Sequence, residues 1–324
     1  MVQSLVMGIL SAVIVLVLPA FMLPERPAEQ PVNYEILVIH STDRPADEKQ
    51  TIVRVDIGSE ILEMDLEEYL SGVVLAEMPA SFELEAMKAQ AVAARTFTLR
   101  KLENSKHTDC DLCCDSNCCQ AWISEAYLQE KMGSAWSEYL EKARMAVLET
   151  EGQVMTYERE LIEAVYFSCS GGMTEDAAAV WGSTVPYLRP VVSPGEEVAA
   201  RYQSQVRVPY AEFQRVLKDV NPSVSFEGKK PTWFGEVVYS AGNGVYTMEI
   251  GGQVFPGTTL RSLFQLNSTQ FTVSLDKDDV IFEVLGFGHR VGMSQYGANA
   301  MAKNGSDYKE ILRYYYSGIE LEIR

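Results

Sequence analysis

Positive charge is scarce in this chain of 324 residues: 27 Lys and Arg stand against 45 Asp and Glu, a formal net charge of −18 with a pI near 4.6. Such a chain lacks the basic face that displaces counterions from phosphates, which argues against a nucleic-acid binder. Acidic polymers are disfavoured as well unless a cation sits in a cleft, whereas neutral ligands such as sugars remain open. Internal repeats and low-complexity tracts are missing, so solenoid architectures are excluded. Wholesale disorder is excluded too, because 47% hydrophobic residues can build a core. The length suits one large domain or about two at ~150 residues each.

Long apolar runs are limited to one. Leu5 to Leu23 are nineteen positions without a charge, or about 28 Å of helix at ~1.5 Å per residue. No Lys or Arg precedes the run and no A-x-A site follows it, so both marks of a signal peptide are absent. Residues 1–24 are therefore read as a single membrane anchor, with a cleaved signal sequence as the rival. Residues 25–50 are read as a linker and first strand: a proline-rich stretch at 25–33, the strand-like YEILVIH at 34–40, then a charged loop. His40 is an ordinary strand residue in this reading.

TIVRVDIG at 51–58 alternates like a half-buried strand. Further strands are expected at EVVYSA, VYTMEI, QFTVSL and IFEVLG, separated by Gly and Asn turns, with a terminal helix at SDYKEILRYYY. The mixed order predicts an α+β fold, helices and antiparallel strands in one soluble body over residues 51–324.

The most informative stretch is LAEMPASFELEAMKAQAVAARTFTLR at 75–100. Pro79 and Ser81 mark a helix start, with Glu83 and Glu85 in its first turn. From Leu84 to Leu99 the helix has almost no polar face, which predicts burial. Lys88, Gln90 and Arg95 then need partners, either in a structural network or along a polar cleft. Glu77 is placed in the loop before this helix, where partial desolvation would raise its pKa and suit general acid chemistry.

Five of the six cysteines fall within ten residues, in HTDCDLCCDSNCC at 107–119. His107, Cys113 and Cys119 are spaced by six, with Cys118 beside the last. One imidazole and three thiolates suit a closed, tetrahedral, structural zinc site. A disulfide cluster is the alternative that an extracytoplasmic location permits.

Taken together, four segments resemble the stage II sporulation protein D family of peptidoglycan lytic transglycosylases. They are YLSGVVLAEMPASFELEAMKAQAVAARTF at 69–97, CCQAW at 118–122, YFSCSGGMTEDAAAVWGSTVPYL at 166–188 and GFGHRVGMSQYGANAMAKNG at 286–305. The resemblance implies that Glu77 is the catalytic acid/base and that Gln90 and Arg95 face its cleft. It places substrate contacts at Ser168, Ser170, Thr174 and Tyr187, with Gly171 and Gly172 letting backbone approach a sugar. His289 and Gln295 fall in a glycine-rich motif, where a structural histidine is an equal reading. Clostridial members hold a metal near this helix, which implies zinc on His107, Cys113, Cys118 and Cys119. The position of Cys118 is commonly histidine there, and Cys110 and Cys114 are further thiols beside the set. Cys169 is read as a free buried thiol.

The resemblance further implies cleavage of the MurNAc-GlcNAc bond of peptide-free glycan, giving 1,6-anhydro ends during engulfment. It implies a membrane-anchored protein in the septal intermembrane space, beside a sporulation amidase and a membrane subunit. Two other readings use the same residues: a non-catalytic wall-glycan scaffold or amidase enhancer, and a zinc hydrolase built on the Cys/His loop.

Overall fold

The computed structural model describes residues 51–116 and 118–324. The expected anchor, the linker and the strand at 34–40 lie outside the described residues. Among those described, no helix is long and apolar enough to cross a membrane.

The elements run in the order β1 (Ile52–Asp56), β2 (Ile61–Asp65), α1 (Leu66–Glu77), α2 (Leu84–Glu103), β3 (Leu112–Cys113), α3 (Glu125–Met132), α4 (Trp136–Leu148), β4 (Gln153–Tyr157), β5 (Glu160–Leu161) and β6 (Tyr166–Phe167). They continue with α5 (Ala177–Trp181), β7 (Gln203–Pro209), α6 (Tyr210–Val220), β8 (Phe234–Tyr239), β9 (Val245–Ile250), β10 (Gln253–Pro256), α7 (Gly257–Leu263), β11 (Gln270–Leu275) and β12 (Asp279–Leu285). The last are β13 (Met293–Ser294), α8 (Gln295–Lys303), α9 (Tyr308–Tyr315) and β14 (Glu320–Ile323). The fold is a mixed α+β one, as expected.

Alanine content explains the centre of the first core. Ala86, Ala89, Ala91, Ala93 and Ala94 of α2 are fully buried, and such short side chains let helices approach from several sides. α1, α4, α8, α9 and β4 all pack against α2. The helix starts later than Pro79 and Ser81 suggest. Glu83 is the capping residue but its side chain makes no cap bond; instead its backbone N–H donates to the Asn299 side chain at 2.8 Å. A tertiary contact thus satisfies the N–H of the capping residue itself, and no side chain caps the first turn from within. α9 is capped locally, by the reciprocal Asp307 and Glu310 pair of a capping box.

Residues 203–285 build a second core. β12 pairs antiparallel with β7 and β11, and β9 with β8 and β10. α6 buries Phe213 and Leu217, one turn apart, and Phe213 stacks on Phe264 at 5.2 Å between ring centroids. The four late strands expected from the sequence are β8, β9, β11 and β12.

Among the described strands, the expectation of antiparallel pairing fails for two pairs. β1 pairs parallel with β3, and β6 pairs parallel with β13. Parallel neighbours require long connections, and both pairs join segments far apart in the chain. β3 carries Cys113, β6 carries Tyr166, and β13 leads straight into Gln295.

Candidate active site

α1 delivers Glu77 as its last residue, not from a loop as the sequence suggested. Asp65 caps the start of this helix by accepting the Glu67 N–H at 2.9 Å, and the Met78 N–H closes its end on the Val74 carbonyl at 3.0 Å. A carboxylate at a helix C-terminus meets the negative end of the backbone dipole, which disfavours its ionised form. Glu77 is half-buried. Its Oε1 accepts the Ala121 N–H at 3.2 Å, and its Oε2 accepts the Gln295 side-chain amide at 3.1 Å. Burial lifts its pKa above the usual carboxylate range, while these two donors pull it back. Burial is the larger effect.

Four other segments close around this carboxyl group. Gln295, the first residue of α8, lies 3.5 Å from the Gln90 side-chain oxygen, so Gln90 and Glu77 share one neighbour. The Gln90 amide nitrogen is fully buried and has no hydrogen-bond partner among the described residues. Tyr166 of β6 donates its hydroxyl to Gln120 at 2.9 Å, and Gln120 donates to Thr98 at 2.9 Å. Burial, then the nearby Glu77 charge, raises the Tyr166 phenol well above its ordinary value. Tyr166 therefore stays protonated beside the carboxylate. Gly72 of α1 lets residues 122–123 lie against the helix: a Cβ there would sit 2.1 Å from Trp122 Nε1 and 2.8 Å from the Ile123 carbonyl oxygen. That close approach sets the Ala121 N–H against Glu77.

Of the residues expected along the cleft, Gln90 is beside Glu77 and Arg95 is not. The Arg95 side chain is buried in the first core, its Nε and one terminal nitrogen on the Glu67 carboxylate at 2.8 and 2.5 Å. Its remaining donors go to the carbonyls of Gln153 and Val147. Lys88 is likewise held by Glu85 and Glu149 at 2.6 and 2.5 Å. Both cations follow the structural-network reading.

The SCSGGMT loop also differs from expectation. Ser170 is fully buried, its hydroxyl and N–H both on the Glu196 carboxylate at 2.8 and 2.7 Å. Gly171 and Gly172, with φ of +79° and +103°, turn their N–H groups toward the same carboxylate. The tandem glycines cradle a buried glutamate rather than a sugar. Thr174 is fully buried and its hydroxyl accepts the Val191 N–H at 2.8 Å. Tyr187 is half-buried, its hydroxyl accepting the Glu163 N–H at 2.9 Å. Ser168 is half-buried, and its carbonyl accepts the Tyr296 N–H at 3.0 Å, one residue beyond Gln295. Cys169 is a free buried thiol, pushed up to about 11 by burial.

His289 occupies a structural position. Its Nδ1 accepts the Val291 N–H at 3.1 Å, its ring hydrogen-bonds the Tyr166 backbone, and burial lowers its pKa to about 4. A neutral imidazole thus holds the backbone of the residue whose phenol faces Glu77.

The Cys/His loop leads directly into this site, because Cys119 precedes Gln120 and Ala121. His107 Nε2 lies 3.4 Å from the Cys119 sulfur and 3.6 Å from the Cys118 sulfur, and the two sulfurs are 4.0 Å apart. With Cys113, all four donor atoms lie within 4.8 Å of one another. A tetrahedral zinc with Zn–S of about 2.3 Å and Zn–N of about 2.0 Å requires S···S near ~3.8 Å and N···S near ~3.5 Å. The donor set fits such an ion. All six cysteines are free thiols. β3 anchors the loop through the parallel pairs Val55 with Leu112 and Asp56 with Cys113.

Residues 58–157 match the family model described as stage II sporulation protein. The chain is 39% identical over 260 residues to stage II sporulation protein D of Bacillus subtilis, covering 79% of this chain and 74% of that protein. It is 37% identical over 260 residues to its namesake in Bacillus amyloliquefaciens, with the same coverage. The chain belongs to the stage II sporulation protein D family. An amidase enhancer of Bacillus subtilis is 31% identical over 300 residues, which cover 78% of this chain and 40% of that protein. The family-model match holds Glu77, Gln90 and the whole Cys/His loop. Tyr166 and Gln295 lie beyond it, so the site draws on segments outside the matched region.

Two of these contacts were missed from sequence. Gln295 stood only in a glycine-rich motif, and Tyr166 had no assigned role. Their signal lay in falling, like CCQAW, within the segments that carry the family resemblance, since segments that share a family pattern tend to meet in space.

Proposed function

We propose that this protein is a peptidoglycan lytic transglycosylase in which Glu77 is the single acid/base. The observation that carries the reading is the half-buried carboxyl at the end of α1, lifted in pKa by burial and held by one backbone and one side-chain donor. Protonated Glu77 donates to the glycosidic oxygen between N-acetylmuramic acid and N-acetylglucosamine, and the C1–O bond breaks with oxocarbenium character. The C6 hydroxyl of the same muramoyl residue attacks C1 while Glu77 takes its proton. One C–O bond forms as one breaks, no water is consumed, and a 1,6-anhydro end remains. A hydrolase would need a second carboxylate for water or a covalent intermediate. The Ala121 and Gln295 donors stabilise the ionised form that must exist between the two proton transfers. Gln90, with its free amide, and Ser168 and Tyr187, which are half-buried, are offered as the substrate contacts.

Zinc belongs to the same proposal, on His107, Cys113, Cys118 and Cys119. Bound there, it would supply a structural cross-link and no step of the reaction. The loop it would close ends at Gln120 and Ala121, whose side chain and N–H contact Tyr166 and Glu77. The fuller context is proposed on the family relationship: a membrane-anchored protein, facing peptide-free glycan in the septal space during engulfment, beside an amidase and a membrane subunit.

The amidase enhancer relative supports a second reading, a wall-glycan scaffold with the same cleft and no bond cleavage. Product analysis separates them. Peptide-free glycan strands incubated with the full chain should gain anhydro-muramoyl ends by mass spectrometry. Reducing ends, one water heavier, would make it a hydrolase, and uncleaved but bound strands would make it a scaffold.

A further inference from the structure

The second core contributes a cation that the reaction above does not use. Arg95, Arg100 and Arg290 are buried or half-buried, and each faces a carboxylate, of Glu67, Glu163 and Glu175. Arg261 of α7 is half-buried too, and it pairs with no carboxylate among the described residues. Among these residues its one hydrogen bond runs from Nε to the Leu266 carbonyl at 3.3 Å. In a chain of net charge −18, a desolvated guanidinium without an acidic partner is exceptional.

Its surroundings include an aromatic ring open to solvent. Arg261 is held on the Leu266 carbonyl, and the carbonyl of the next residue, Asn267, accepts the Gly288 N–H at 3.0 Å, one residue before His289; the Arg261 charge adds to burial in keeping that ring neutral. The outward neighbour of His289 is Trp181, tilted against the imidazole at 5.3 Å between centroids and 47% exposed. Trp181 ends α5, and Gly182 at φ +79° turns the chain away after it. The indole thus rests against the imidazole and is left half open to solvent. Arg201, also without a carboxylate partner among the described residues, stacks on Phe287 at 4.5 Å, two residues before His289. The patch is one tyrosine away from the acid: His289 holds the Tyr166 backbone, and the Tyr166 phenol lies beside Glu77.

We propose that Arg261 binds the free lactyl carboxylate of a peptide-free muramoyl residue, with Trp181 as the platform under its pyranose ring. The inference rests on the glycan-cleaving reading and adds to it how stripped strands are told from intact ones. A guanidinium fork matches a carboxylate with two parallel N–H···O bonds. An exposed indole face suits the C–H face of a sugar. When a stem peptide is attached, the lactyl carboxyl is an amide: its charge is gone and one acceptor is lost. Arg261 then has nothing to neutralise it.

The test uses the full chain carrying Glu77→Gln, so that ligands persist. Three oligosaccharides of equal length are titrated by calorimetry: peptide-free muramoyl glycan, the same glycan with its lactyl carboxylates converted to methylamides, and a chito-oligosaccharide. The carboxylate form should bind about tenfold more tightly than the methylamide, with the gap narrowing as salt rises. Arg261→Gln should abolish that gap while leaving methylamide affinity unchanged, and Trp181→Ala should weaken both muramoyl ligands together. Equal affinity of the carboxylate and methylamide for a chain retaining Arg261 overturns the proposal and leaves the glycan reading standing. That comparison needs no Arg261 variant to fold. Failure of all three sugars to bind would overturn the glycan reading as well.

Discussion

Replacing Arg95 by Met distinguishes a core ion pair from a substrate contact. The Arg95 side chain is 1% exposed and that of Glu67 16%, so both charges are largely removed from water. Arg95→Met deletes two hydrogen bonds to Glu67 and two to the carbonyls of Gln153 and Val147. What remains is a carboxylate without its cation and two carbonyls without donors. Breaking one side of such a pair costs about 3–5 kcal/mol, or a Tm lower by roughly 6–20 °C at ~2–4 °C per kcal/mol. Changing both residues to Met removes the stranded charge, and stability should return to within about 2 kcal/mol of the native chain. The assay is thermal and urea unfolding of the three proteins, with glycan binding measured on each at a temperature where it is folded. The core account predicts large losses in the single variant, recovery in the double, and unchanged glycan affinity in both. A single variant of native stability that binds glycan tenfold more weakly would refute it and return Arg95 to the cleft.

Further outcomes follow from other features of the site. Burial raises the Glu77 pKa, so the folded chain holds this proton more tightly than the unfolded one. Relative to Glu77→Gln, the native chain should therefore be most stable below the ordinary carboxylate pKa. It should lose that advantage as pH rises through the folded pKa, as urea titrations at stepped pH would show. Activity should fall on the same alkaline limb, since the acid must be protonated; a rate that rises through that limb would contradict the assignment. The full chain should carry one zinc by elemental analysis. Cys113→Ser or Cys118→Ser should deplete it and lower Tm, while Cys110→Ser and Cys114→Ser retain it, because only the former belong to the converging set. Gly72→Ala drives a Cβ into Trp122 and should destabilise by about 1–3 kcal/mol. It should also lower cleavage per folded molecule by moving the Ala121 N–H off Glu77.

Local pattern revealed what depends on local pattern. The alanine-rich run read as a buried helix because its composition leaves no polar face, and α2 is that helix. The four late strands and α9 announced themselves by alternation, turn residues and an apolar stripe. The four clustered donors His107, Cys113, Cys118 and Cys119 were legible because three of them lie within seven residues of one another. Pairings across the chain were not. Nothing in the residues around Arg95 names Glu67 as its partner, and nothing around Ser170 names Glu196, so both were assigned to the cleft when they fasten the interior. The parallel pairs β1 with β3 and β6 with β13 were likewise hidden, since each depends on where a long connection returns. Gln295 reaches Glu77 across more than two hundred positions for the same reason. Glu77 itself was recognised from its motif, but its place on the last turn of α1, which adds the helix dipole to burial, required the fold.

In the proposed reaction Glu77 performs both proton transfers of a water-free cleavage. The most direct measurement compares the native full chain with Glu77→Gln on peptide-free glycan, with product ends identified by mass spectrometry and folding checked by circular dichroism. Anhydro-muramoyl ends are expected from the native chain, with a rate at least ~10²-fold lower from the equally folded variant. Anhydro ends produced by Glu77→Gln at the native rate would contradict it.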